Sequence, residues 1–276
     1  MHRLDRCFVD LDRAEKKALC AYFCVGNPSL DESVELALAA IEAGANLLEL
    51  GVPFSEPIAD GPVLASAARR AIAAGVTLER VMDVAEAIRV RTDVPLVMFT
   101  YYNPVFVTGE VRVANMARAA GFDALLVVDL PPEEARELRH AAAERGLGLV
   151  PLVAPTTRAA RLDVIQRLSI PPADAPRGFV YAISTTGVTG TRVADVATMS
   201  RSAEAVRMQF GMPVVVGFGV DGAESARAAA GPRGMGANGV VVGTAIARRL
   251  ELGSLQHERV GLVRSFVQGL RLALDQ

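Results

Sequence analysis

Glu49 and Asp60 are the residues of this sequence best placed to do chemistry. Glu49 lies in the run Leu47-Leu48-Glu49-Leu50, which reads as a strand buried on both faces, where an acid adds nothing to packing. Left unpaired there, a carboxylate is costly or stays protonated. Paired to an arginine or to backbone N–H groups it would be a structural acid, and the run alone leaves both readings open. Asp60 follows in a stretch punctuated by Pro53, Pro57, Gly61 and Pro62, an ordered but non-regular loop just past the strand's C-terminal end. Two acids in unlike surroundings can serve different steps of general acid–base catalysis. Glu49 suits the buried group with a raised pKa, Asp60 the loop group that stays ionised.

Other chemistries lack their residues. A Schiff-base aldolase needs a lysine at a strand end, yet Lys16 and Lys17, the only lysines, precede the first strand. Metal catalysis would want histidines at strand ends, whereas His2, His140 and His257 fall in the N-terminal segment and in helices, so no metal site is expected. No serine sits in a GxSxG turn, and no cysteine pairs with a strand-end histidine. Cys7, Cys20 and Cys24 read as buried thiols, the last two too far apart along one strand to bridge. Asp129 also ends a strand, but ahead of Pro131-Pro132 and a helix it reads as a cap or loop support.

These acids need a scaffold, and the chain supplies one by alternating strand and helix. A polar helix around Leu11 to Lys17 precedes eight strand–helix units, with strands at Leu19–Val25, Leu47–Leu50, Pro95–Thr100, Ala124–Asp129, Leu149–Val153, Phe179–Ile183, Pro213–Val216 and Gly239–Val242. The helix after the first strand is expected to start near an Asp31 cap. The pattern predicts a single α/β domain over residues 1–276, a (β/α)8 TIM barrel with an extra N-terminal helix. A doubly wound open sheet is the other arrangement considered, but no strand is followed by GxGxxG with an acid at the next strand end.

Glycines after the seventh and eighth strands suggest a phosphate site. Gly217, Gly219 and Gly243 would let backbone approach a ligand, Gly190 would add N–H donors from the sixth loop, and Thr244 a hydroxyl. Each glycine taken singly is as readily a turn or cap residue. With no lysine to clamp the charge, such a site would rest on backbone dipoles and helix N-termini.

Composition narrows the partners. The chain has 276 residues, half of them apolar, and a net charge of −2, which gives material for a large core and no bias toward nucleic acid or an anionic membrane. No N-terminal stretch reads as a signal peptide, and no apolar run reaches the roughly 18 residues of a membrane span, so a cytoplasmic protein with a small-molecule substrate is expected.

From about residue 18 to 250 the chain resembles the tryptophan synthase α subunit family. The stretch LELGVPFSEPIADGP resembles the family signature around its two catalytic acids, which carry over onto Glu49 and Asp60. Tyr101-Tyr102-Asn103-Pro104, Gly187-Val188-Thr189-Gly190 and Gly217-Phe218-Gly219 resemble its other active-site loops, placing Tyr102 and Thr189 beside substrate. The resemblance implies a cofactor-free retro-aldol cleavage of indole-3-glycerol phosphate to indole and glyceraldehyde 3-phosphate. Glu49 would take a proton from the glycerol hydroxyl next to the ring while indole C3 is protonated, and Asp60 would accept the indole N–H. Tyr22, Leu126, Leu152, Tyr181 and Phe218 match the family's indole pocket, and each is equally suited to barrel core.

The resemblance also implies that the loops at Asp60 and Thr189 close over substrate and meet a β subunit in an α2β2 complex. Pyridoxal phosphate would belong to that β subunit. Where the family usually has Pro, Asp, Asp and Gln, this chain has Ala21, Asn27, Glu56 and Ala65, and it is longer around Ser169 to Arg177 and Gly231 to Gly236. Three readings follow: an α subunit in a complex, a stand-alone lyase or related aldolase on another phosphorylated substrate, and a non-catalytic regulator of a β subunit. Retention of both acids argues against the last.

Overall fold

In the computed structural model, residues 1–172, 174–183, 196–217, 219–232 and 234–276 are described, and among them strand and helix alternate along the chain. The strands are β1 (Ala18–Cys24), β2 (Leu47–Gly51), β3 (Leu96–Thr100), β4 (Ala124–Val127), β5 (Gly148–Leu149), β6 (Leu152–Val153), β7 (Val180–Ile183), β8 (Val214–Gly217) and β9 (Gly239–Val242). Helices in the first half are α1 (Arg3–Arg13), α2 (Leu30–Glu42), α3 (Pro62–Ala73), α4 (Leu78–Arg89), α5 (Tyr102–Thr108) and α6 (Glu110–Ala119). In the second half they are α7 (Arg136–Glu144), α8 (Ala159–Ser169), α9 (Val196–Phe210), α10 (Ala223–Ala230), α11 (Thr244–Leu250) and α12 (Gln256–Leu274). Among these, no helix is long and apolar enough to cross a membrane.

All strand pairs are parallel, in the order β5-β4-β3-β2-β1-β9-β8-β7-β6. The two ends of that ribbon, β5 and β6, are one stretch of chain interrupted only by Val150 and Pro151. On one side Val150 N–H donates to Leu125 O at 2.9 Å, and on the other Pro151 O accepts Tyr181 N–H at 2.9 Å. The sheet therefore closes on itself. Pro151 has no N–H to give, so a rung is missing where the fifth barrel strand was expected whole, and it reads as two pieces. The result is the eight-stranded parallel barrel expected from the alternation.

Burial follows the barrel logic. Every residue of β1, β2, β3 and β4 is buried, as strands covered on both faces must be. Helix α2 starts at Leu30, and Ser29 caps it by accepting Glu32 N–H at 3.2 Å, so the Asp31 cap is corrected to Ser29.

The N-terminal helix spans Arg3–Arg13 rather than Leu11 to Lys17. It packs Leu4 and Phe8 inward, and Glu15, with φ at 54°, lies in the turn beyond its end. Its Arg3 reaches Asp123 at 2.6 Å, and its Asp5 accepts Gly178 N–H at 2.9 Å, which ties the helix to the ends of β4 and β7 where those strands begin. Lys17 is buried against the same end. Its Nζ donates to Met235 O and Ala237 O, both at 2.7 Å, and to Ala230 O at 3.2 Å. Both longer segments, near 169–177 and 231–236, thus sit at the barrel face opposite the strands' C-terminal ends.

Candidate active site

Glu49 sits in the middle of β2 with no solvent exposure, and among the described residues neither carboxylate oxygen has a hydrogen-bond partner. Burial pushes its pKa up to about 8, opposed slightly by the nearby Cys20 thiol, which lies close without completing a hydrogen bond. A neutral carboxyl at pH 7 is the consequence. Its neighbour in the ladder is Tyr22 of β1. Tyr181 belongs to β7, far round the barrel, yet its phenol is raised by burial first and then by the charge of Glu49. The two therefore face each other across the lumen, and the structural reading of Glu49 as a paired acid is set aside.

Asp60 is half-buried at the mouth, on the loop between β2 and α3. The Tyr101 hydroxyl donates to its Oδ2 at 2.9 Å and accepts Ala59 N–H at 3.0 Å, so the end of β3 grips this loop. Phe54 stacks on the Tyr101 ring at 5.1 Å, adding an apolar cover. Burial raises the Asp60 pKa to about 6 and the Tyr101 bond counters it, leaving the group ionised at pH 7. The surroundings are less polar than the loop sequence suggested, but the expected division of protonation states holds.

The aromatic walls are set by glycines. A Cβ on Gly51 would collide with the Tyr22 hydroxyl, one on Gly243 would lie 2.9 Å from Tyr22 Cδ1, and one on Gly217 would collide with the Tyr181 hydroxyl. Gly217 and Gly243 thus make room for rings, whatever else they do. Gly219, at φ +80°, takes a backbone conformation that L side chains rarely adopt. Gly243 precedes α11, with Thr244 as its first residue. Leu126 is fully buried in β4, and Leu152 is paired with Tyr181. Thr189, Gly190 and Phe218 lie outside the described residues.

Tyr102 is placed differently from its neighbour. Its hydroxyl donates to Glu110 Oε1 at 2.9 Å, and its N–H donates to Asp129 Oδ1 at 2.7 Å. Asp129 is thereby a loop support, as its sequence context suggested. Tyr101, not Tyr102, contacts a candidate catalytic acid. Among the described residues no group of three or more His, Cys, Asp or Glu is arranged to hold a metal ion.

A buried neutral acid inside the barrel, an ionised acid at the rim of its C-terminal end and the rings of Tyr22 and Tyr181 suit proton transfer to and from an aromatic substrate. A family model described as tryptophan synthase alpha chain matches residues 8–272. The chain belongs to the tryptophan synthase α chain family. It is 42% identical to the tryptophan synthase alpha chain of Laribacter hongkongensis over 277 residues, covering 100% of both chains. Against the Geobacter sulfurreducens alpha chain the identity is 40%, with 99% of each covered. Its fold superposes on tryptophan synthase subunit alpha from Legionella pneumophila with a TM-score of 0.87 at 29% identity, covering 100% of this chain and 99% of that one. A Mycobacterium tuberculosis tryptophan synthase chain gives 0.85 at 32%, with 100% and 99% covered. As a member of the tryptophan synthase α family, the chain is a lyase of tryptophan biosynthesis that cleaves indole-3-glycerol phosphate.

Proposed function

We propose that Glu49 and Asp60 carry this cleavage without a cofactor. The single observation behind the assignment is Glu49 itself, a fully buried carboxyl without a partner among the described residues, turned into the lumen. The neutral Glu49 carboxyl gives its proton to indole C3. Asp60 accepts the ring N–H and stabilises the positive charge that C3 protonation creates. The Glu49 carboxylate then takes the proton of the hydroxyl on the adjacent carbon, the bond from C3 to that carbon breaks, and indole and the aldehyde of glyceraldehyde 3-phosphate are released. Glu49 ends protonated as it began, so the cycle needs no outside acid or base.

Tyr22, Leu126, Leu152, Tyr181 and Phe218 are assigned to the indole wall. Gly190, Gly217, Gly219, Gly243 and Thr244 are assigned to the phosphate, and Thr189 to the closing loop. Tyr102, at the start of α5, is assigned beside substrate.

The partner is a pyridoxal-phosphate β subunit, in an α2β2 complex. Support comes from exposed apolar residues on two elements that follow strand ends at the mouth: Ile58 on the Asp60 loop, and Phe106 and Val107 on α5. Steady-state indole release from indole-3-glycerol phosphate, with and without added β subunit, tests the reading. Acceleration by the β subunit is expected. Equal rates would favour a stand-alone lyase, and no cleavage in either case would leave only a regulatory role.

A further inference from the structure

Tyr22 carries a polar group that the mechanism does not use. The residue is only 8% exposed, and its ring meets Phe99 edge-on at 5.1 Å. The bare backbone of Gly51 and of Gly243 brackets it, so the phenol spans the mouth from the end of β9 to the end of β2. Among the described residues its hydroxyl has no hydrogen-bond partner, and it is not one of the side-chain oxygens sealed from solvent, so it keeps a solvent-facing edge. The ring also packs on the side of the mouth that carries Asp60, since Phe99, against which it lies, is two residues before Tyr101, whose hydroxyl holds Asp60. Burial is the main cause of its raised pKa, and the charge that adds most is Asp60, ahead of Cys24, Tyr101 and Glu49.

A bound indole would therefore expel water from this hydroxyl and offer it nothing in return, since the benzo edge of the ring has no acceptor. An acceptor atom next to the ring N–H would meet it, because Asp60 takes the N–H and Tyr22 lines the same side of the mouth, through Phe99 and Tyr101. We propose that the Tyr22 hydroxyl is a hydrogen-bond donor to the edge of the bound ring, which makes Tyr22 a specificity residue favouring substrates with an acceptor beside the indole N–H. This inference rests on the assignment of Asp60 to that N–H.

The reverse condensation with glyceraldehyde 3-phosphate tests it, using indole and 7-azaindole, whose extra ring nitrogen lies beside the N–H. Comparing the ratio of the two kcat/KM values between wild type and Tyr22→Phe cancels the intrinsic reactivity of each heterocycle. The 7-azaindole to indole ratio should fall about threefold to tenfold in Tyr22→Phe, the range of one neutral hydrogen bond. The indole value itself should rise, because the unmatched hydroxyl is gone. Titration of both heterocycles should give the same change in the ratio of dissociation constants, as a readout independent of turnover. An unchanged ratio with indole condensation intact overturns the inference alone. Absence of indole condensation in the wild-type chain overturns the site assignment and the inference with it.

Discussion

The Tyr101 hydroxyl and the Asp60 carboxylate form one unit, 2.9 Å apart, with Ala59 N–H donating into the same phenol oxygen at 3.0 Å. The end of β3 thereby fixes both the position and the ionisation of an acid carried on a loop. Hydrogen bonds to charged groups are worth about 1.5–3 kcal/mol. Tyr101→Phe should lower cleavage of indole-3-glycerol phosphate at pH 7 by about tenfold or more. Because the lost bond favours the ionised form, the acid limb of kcat/KM should move up from about 6, and activity should partly recover at higher pH. An unmoved acid limb would show that Tyr101 does not act through Asp60.

The two acids predict a bell-shaped profile for kcat/KM in the free enzyme. Activity should rise as Asp60 ionises near pH 6 and fall as Glu49 loses its proton near pH 8. Initial rates from pH 5 to 9 check this. A rate that keeps climbing past pH 8 would mean that Glu49 must start ionised, and the order of proton transfers would be reversed.

Glu49 also makes stability depend on pH. Its folded pKa, about 8, lies above the ordinary value of 4.5, so the native state holds the proton more tightly than the unfolded chain. The contribution is fully present below about pH 4.5, declines between 4.5 and 8 by up to about 1.4 kcal/mol per pH unit, and is lost above 8. Glu49→Gln cannot ionise. Relative to wild type it should gain Tm steadily over that window and then plateau, as followed by thermal melts at several pH values. A constant Tm difference would place Glu49 in a better-solvated or paired environment.

At the opposite end of the barrel, Asp123 is buried and accepts from Arg3 at 2.6 Å, Arg89 at 2.9 Å and Leu96 N–H at 2.9 Å. Asp123→Ala would remove the shared acceptor of these three N–H groups, leaving Arg3 with Asp93 and Arg89 with the Gly121 and Thr92 carbonyls, a change of about 3 kcal/mol in unfolding free energy by denaturant titration. Activity per folded molecule should persist, since none of these groups faces the mouth.

The barrel and Glu49 were legible because they depend on local pattern. Short apolar strands alternating with helices leave few folds open, and an acid inside such a strand stands out. Where long-range geometry decides, the sequence was silent. Nothing in it says which of Tyr101 and Tyr102 turns toward Asp60, because that depends on β3 ending at Thr100 and α5 starting at Tyr102. The Tyr101–Pro104 stretch resembles a loop in sequence but is helical from Tyr102, since proline is tolerated in the first turn of a helix. The partners of Asp123 and Lys17 lie far away in the chain and leave no local trace. The N-terminal helix did leave one, in the spacing of Leu4, Phe8 and Leu11, which repeats at helical intervals.

The central claim is that Glu49 moves the protons in the cleavage. Steady-state release of indole from indole-3-glycerol phosphate by Glu49→Gln tests it most directly, because the amide keeps the shape and loses the transferable proton. A fall of about 10²- to 10⁴-fold against wild type, with the fold retained, is the predicted result. Turnover close to wild type would contradict the account.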